Sequence, residues 1–295
     1  FDGCFTHKST FLMPLLIENI GFPAGGALSF MKIQHQVMNY GNLIYTPQTM
    51  YMWYSPGEGI EIWSRQAEEG NKYRLYAHYA GNSRMRVALV EKRPCKDGAL
   101  ADGLFVAYFK HKEGEGLETV HERLRYGDGT YTGVIPFVFS VPNYNWYSEV
   151  EMPLVTDVQI TAFPFDLTGY ETEDDWFDFQ LEEQRKQRKP DEPEDPDPGY
   201  YRAASFIPQA AFFEKKSEDD FPSPTATLSG IVLETAILTN PVTGQDFSWA
   251  KIETAAGDID LVVNPEILEG YLVEGGVAAG CCYLSGRLPE FAPDI

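Results

Sequence analysis

Between residues 225 and 288, apolar and polar positions alternate with the two-residue period of half-buried strands. The alternation predicts strands over 228–238, 247–254, 259–263 and 277–288. The breaks fall at Asn240-Pro241-Val242-Thr243-Gly244 and Gly257-Asp258, and a Pro265-initiated helical turn precedes the last strand. Four strands of this length, punctuated this way, point to a small closed β-barrel.

Upstream the pattern is less regular. Apolar residues at Phe11, Leu15, Ile17 and Ile20 suit a helix that starts near Pro14 and ends at Gly21, and 28–40 reads as a short amphipathic segment. From Leu43 the period shortens to two. Residues 51–54 and 60–65 flank the turn Ser55-Pro-Gly-Glu-Gly59 and read as a hairpin, and 73–79 and 85–92 read as a second hairpin around Gly81-Asn82. Further strands are expected over 105–109, 131–139 and 150–165, which are rich in β-branched and aromatic residues.

A helix is predicted over 171–189. Thr172 can cap it, with Glu173, Asp174 and Asp175 in its first turn and Arg185, Lys186, Arg188 and Lys189 in its last. Residues 190–199, alternating Pro with Asp and Glu, cannot bury apolar surface and read as a stiff linker. Phe206, Ile207, Phe212 and Phe213 mark a segment that docks on its neighbours. The expected organisation is thus a β-rich α+β domain over 1–170, a helix, linker and docking segment over 171–224, and a barrel over 225–295. The fold class is α+β, mostly antiparallel β.

The strand order after residue 225, with a short helix before the last strand, resembles the OB fold. That resemblance implies a ligand face on the second and third strands. The pairing of a β-rich N-terminal region with a barrel ending in Tyr283-Leu-Ser-Gly-Arg-Leu288 also resembles uncharacterised bacterial proteins, and implies no activity. On the OB analogy, Phe247, Trp249 and Lys251 form a stacking platform with Asp260 and Asn264, framed by loops 240–246 and 270–276.

Charge changes that picture. The chain of 295 residues carries a formal net charge of −21, and from Thr225 onward Lys251 and Arg287 are the only basic residues against ten acidic ones. Single-strand binders need a positive groove, so nucleic acid is disfavoured as a partner. An aromatic face without such a groove reads first as an internal docking surface, and next as a face for a protein or small-molecule ligand.

Chemistry is sparse. The phosphate-loop, dinucleotide, zinc-protease and serine-nucleophile motifs are absent, so no cofactor is expected. His7, His35, His78, His111 and His121 share no metal-ligand spacing, and no metal is expected. His78, in the strand 73–79, is the leading candidate general base, able to share a face with Tyr76 and to meet a distant carboxylate such as Glu61, with Trp63 or Arg86 lining a pocket. The favoured reading is nonetheless a non-catalytic binding or protein-interaction protein using the barrel face or the interdomain cleft. An enzyme built around His78 is the alternative and oligonucleotide binding the second.

The four cysteines, Cys4, Cys95, Cys281 and Cys282, lack C-x-x-C spacing and read as reduced core thiols of a cytoplasmic protein. The start at Phe1 leaves a cleaved signal peptide open. No run of about 18 apolar residues is present, so no membrane is expected as a partner.

Overall fold

The computed structural model describes residues 16–23, 27–67, 73–95, 101–110, 117, 134–187, 202–214 and 220–292. The linker 190–199, Cys4, His7, His111 and His121 lie outside these residues. The fold is mostly β and its pairing mostly antiparallel.

Helix α1 (Ala27–Tyr40) leads into β1 (Asn42–Tyr45), β2 (Met50–Gly57), β3 (Ile60–Gln66) and β4 (Tyr73–Tyr79), which pair in that order as a four-stranded sheet. The β2–β3 turn holds Glu58 at φ 52° and Gly59 at φ 73°. Both central residues are left-handed, as a type I′ hairpin requires. A Cβ on Gly59 would also stand 2.7 Å from the Tyr79 ring.

The second sheet is built from β5 (Met85–Pro94), β6 (Gly103–Lys110), β7 (Val134–Val141), β8 (Leu154–Tyr170), β9 (Ser205–Pro208), β10 (Thr225–Thr239), β11 (Asp246–Thr254), β12 (Gly257–Val263), β13 (Leu268–Gly270) and β14 (Val277–Arg287). Helix α2 (Glu173–Gln187) follows β8. Thr172 caps it as the sequence predicts: Asp175 N–H donates to Thr172 Oγ1 at 3.1 Å, and Thr172 N–H returns to Asp175 Oδ2 at 3.0 Å.

The four strands after residue 225 fall where the alternation places them, yet they do not close on themselves. β8 stands between β12, to which it runs parallel, and β14, to which it runs antiparallel. The pairings therefore close a ring through β10, β11, β12, β8, β14 and back to β10. A second ring runs through β8, β5, β6, β7 and β14, where the β14–β7 link is the parallel pair Ser285 and Ser140. The long β8–β14 ladder belongs to both rings, so strand pairing crosses the expected boundary at residue 170.

One core cluster fills both rings. Val158, Ile160 and Ala162 of β8 meet Ala250, Ile252, Ile259, Leu261 and Leu284 within it, alongside Phe105, Phe137 and Phe139. Alternation then turns Gln159, Thr161, Phe163, Phe247, Asp260, Val262, Tyr283 and Ser285 to the outer face. The small sheet covers that face: Phe163, Phe247, Val262 and Tyr283 pack with Ile60, Ile62, Leu75, Tyr79 and residues of α1 in one cluster. Of the segment marked by Phe206, Ile207, Phe212 and Phe213, β9 pairs with β10 and Phe206 is buried in the ring core, whereas Phe212 is exposed.

Two expectations are corrected. Strands 73–79 and 85–92 do not form a hairpin, because β4 pairs with β3 while β5 pairs with β6 and β8. The intervening chain passes from one sheet to the other, and Ser83 spends its N–H and hydroxyl on Asp260, 177 residues away, rather than on a turn. The cysteines are not all reduced: Cys95 and Cys282 are free, but Cys281 is disulfide-bonded. Cys282 points into the ring core and Cys281 to the other side, as neighbours in a strand must. Among the described residues no helix is long and apolar enough to cross a membrane.

Candidate functional site

The two sheets meet through polar groups as well as apolar ones. At one end, Asp102 accepts from Arg65 Nε and Tyr51 Oη in the small sheet, and Asn145, just after β7, donates its N–H to Tyr51 Oη at 3.0 Å. Desolvation is the main cause that drives the Tyr51 phenol far above its ordinary range, followed by the Asp102 charge. Tyr51 is therefore a fixed donor.

At the other end lies Asp260, fully buried, whose Oδ2 accepts from Ser83 N–H at 3.1 Å, Ser83 Oγ at 2.6 Å and Gln159 Nε2 at 2.8 Å. Its Oδ1 accepts from Trp249 Nε1 at 3.0 Å. Four neutral donors saturate this carboxylate.

Gln159 extends the chain of contacts to His78. Because Gln159 Nε2 donates to Asp260 and to Thr161 Oγ1, its Oε1 faces His78 Nε2 at 3.0 Å as an acceptor. His78 thus carries its proton on Nε2, and Nδ1, 2.9 Å from Ser285 Oγ, accepts from that hydroxyl. Desolvation, then the Arg287 charge, lowers the His78 pKa to about 3. The imidazole is buried, neutral and engaged at both nitrogens. It has no nitrogen left to take a proton from a substrate.

Beside His78 the joint opens into a recess of about 140 Å³. Trp53, Trp63, Pro142, Tyr147 and Ala292 wall it, and Glu61, His78, Asn143 and Arg287 add polar atoms. Glu61 faces His78 across the β3–β4 ladder. Trp63 Nε1 donates to its Oε2 at 3.1 Å, and Arg287 Nη1 lies 3.4 Å from its Oε1. Burial is the main cause that raises the Glu61 pKa, and the Arg287 charge works against that rise.

Among the described residues, six buried side-chain nitrogen or oxygen atoms lack a hydrogen-bond partner, and three of them belong to this wall: Trp53 Nε1, Asn143 Oδ1 and Arg287 Nε. Trp53 lies near enough to favour the charged Glu61, but its indole N–H makes no well-formed hydrogen bond. Each has under 1 Å² of accessible surface, so each forgoes about 1–3 kcal/mol of solvation in the folded chain.

Lys92 shapes one side of the recess. Its Nζ donates to the carbonyls of Tyr147, Ser148 and Val150 at 2.7, 2.5 and 2.8 Å, which pins the 3₁₀ turn Tyr144–Tyr147 next to Asn143.

Of the residues singled out from sequence, the structure brings Glu61, Trp63 and His78 to this recess. Tyr76 instead packs with Tyr51 and Trp63 in a separate aromatic cluster, and Arg86 forms an exposed pair with Asp157 at 3.4 Å. The platform residues are occupied by the chain itself. Phe247 is buried edge-on against Tyr79 with ring centres 6.2 Å apart, and Trp249 binds Asp260. Lys251 lies 3.6 Å from Glu234 and 3.9 Å from Asp258, and Asn264 caps the turn at Pro265. The loop 240–246 docks too, with Asn240 Nδ2 donating to Ile20 O and Thr243 Oγ1 to Gly21 O.

Sequence reasoning missed Trp53, Asn143 and Arg287 as members of one site. Arg287 stands inside the quoted Ser-Gly-Arg-Leu run, but nothing local ties it to Glu61, 226 residues earlier. No protein-family model matches the chain, and neither a curated protein nor a solved structure matches it.

Proposed function

We propose that this is a non-catalytic binding protein whose site is the recess where β2, β3 and β4 meet β14 and the turn after β7. The observation that carries the reading is a recess of about 140 Å³ where the two sheets meet, walled by Trp53, Trp63 and Tyr147 and bordered by the polar residues Glu61, His78, Asn143 and Arg287. Binding is favoured over catalysis because His78 has both ring nitrogens committed and Glu61 is held by the Trp63 indole and Arg287. Oligonucleotide binding finds less support, since Phe247 is buried and Trp249 partly covered.

The five-stranded ring fits an OB-like barrel in which β8 acts as the closing strand although it precedes the others in the chain. Its usual ligand face then serves to seat the small sheet. For location, the disulfide at Cys281 favours an oxidising compartment over the cytoplasm that four free thiols implied.

The test is a thermal-shift screen of small polar molecules against the wild type and a Glu61→Leu/Arg287→Leu double variant, which strips the recess of its charged groups as a pair and leaves no lone charge. Compounds that stabilise only the wild type support the site. If no compound separates the two proteins, the recess is structural.

A further inference from the structure

The two edges of the small sheet differ. At β4 the edge is covered by the large sheet, because Tyr79 O accepts from Gln159 Nε2 at 3.3 Å and Thr161 Oγ1 at 2.7 Å. At the opposite edge β1 pairs with β2 alone among the described residues, without a register shift. A free edge of this kind is a template for another strand, and proteins blunt it with charge, proline or bulges. β1 carries none of these. Residues 33–57 contain no Asp, Glu, Lys or Arg, in a chain where those make up 23%. Of the eleven large hydrophobic side chains exposed among the described residues, five lie within 38–50: Met38, Tyr40, Leu43, Tyr45 and Met50.

We infer that this edge is an interface for a second copy of the chain, with β1 pairing antiparallel to β1 of the copy around Ile44. The backbone supports that occupant. Thr46 N–H turns toward β2 and donates to Thr49 O at 2.9 Å. Alternation therefore turns the N–H and C=O of Ile44 toward β2 as well, and those of Leu43 and Tyr45 outward. When Ile44 lies opposite itself, Leu43 of one copy faces Tyr45 of the other. Those are the residues with outward groups, and each such pair exchanges two hydrogen bonds. Side chains agree with the backbone: Leu43 and Tyr45, 51% and 70% exposed, share one face and meet across the seam. Charge points the same way, since two chains of net charge −21 repel each other and approach most easily through an uncharged strip. A basic segment of another protein would find no carboxylate on this strand.

The test is sedimentation equilibrium of the full chain. The wild type is expected to dimerise reversibly, and more tightly at about 0.5 M salt than at about 0.05 M, because screening relieves the repulsion. Leu43→Lys/Tyr45→Lys sets like charges opposite each other at both pairs, and should weaken association at least about tenfold. Leu43→Lys/Tyr45→Glu sets opposite charges there and should recover most of the loss. Tyr45→Pro removes an outward N–H that β2 does not use, so the fold is kept while the dimer weakens. Far-ultraviolet circular dichroism checks that each variant is folded.

A wild type that stays monomeric up to about 1 mM would overturn the proposal and leave the edge to a strand of another protein. A dimer indifferent to all three variants would overturn it as well, by placing the contact on another surface. If the Lys/Glu variant dissociates as readily as the Lys/Lys one, the pairing around Ile44 falls.

Discussion

Gln159 Nε2 donates to Asp260 Oδ2 at 2.8 Å across the seam where β8 and β12 run parallel. That seam has only two registered pairs, Asp260 with Thr161 and Leu261 with Ala162. Side chains therefore carry much of the ring closure. Asp260→Leu strands the Ser83 N–H and the Trp249 indole in a buried setting, leaves the Ser83 hydroxyl and the Gln159 amide to their second acceptors Ile160 O and Thr161 Oγ1, and is expected to lower stability by about 3 kcal/mol. Gly81→Ala should act at the same point, since a Cβ there would sit 2.0 Å from Asp260 Cγ. Urea unfolding of both variants checks this, and a loss below about 1 kcal/mol in each would show that the seam does not depend on the carboxylate.

His78 gives the fold a signed pH dependence. Its pKa falls from 6.5 to about 3 on folding, so between those values the unfolded chain binds a proton that the folded chain refuses. Stability conferred by the neutral imidazole is complete above pH 6.5 and is lost as pH drops, by up to about 1.4 kcal/mol per pH unit. Glu61 acts in the opposite sense, because its raised pKa makes the folded state hold its proton longer. The comparison of wild type with His78→Gln isolates the imidazole: the difference in their stabilities should shrink as pH is lowered from 7 toward 4. A constant difference would mean that His78 protonates as readily folded as unfolded.

What could be read from the chain followed locality. Phe247, Trp249 and Lys251 alternate with Ala250 and Ile252, and the structure sends the two sets to opposite faces as that pattern demands. The cap at Thr172 and the left-handed turn at Glu58-Gly59 were equally local. Ring closure by β8 was not legible, because no periodicity records which distant strand fills an open edge. The β4–β5 hairpin failed for a related reason. Gly81-Asn82 looks like a turn, yet Gly81 is small because Asp260 lies against it. At the candidate site, Glu61 and His78 were singled out from the sequence but their pairing across the β3–β4 ladder was not, and Ser285 and Gln159, 207 and 81 residues from His78, turned a candidate base into a structural group.

The second polar joint predicts a coupled pair. Tyr51 Oη and Arg65 Nε converge on Asp102, which is almost fully buried. Tyr51→Phe should cost about 1–2 kcal/mol and Asp102→Asn about 3, because the second change leaves a guanidinium without its carboxylate. Since both act on one network, the double variant should lose clearly less than the sum. A double-mutant cycle by chemical denaturation reads the coupling directly, and strict additivity would separate the two contacts.

Lys92 links the fold to the recess. Its ammonium holds three carbonyls of the segment that follows Asn143, and Lys92→Met keeps the aliphatic stem while removing those donors. Tyr144 and Tyr147 anchor the turn in the core cluster independently of Lys92, so global stability should fall by only about 1 kcal/mol. Local order should suffer more: amide exchange over residues 144–150 is expected to quicken, and a compound that stabilises the wild type in the thermal-shift screen should bind severalfold more weakly because Asn143 and Tyr147 lose their fixed placement. Faster exchange without weaker binding would mean that the turn positions neither residue for the ligand. Unchanged exchange would mean that the Tyr144–Tyr147 turn is held by its own packing, with Tyr147 against Phe105 at 5.7 Å between ring centres as the contact that suffices.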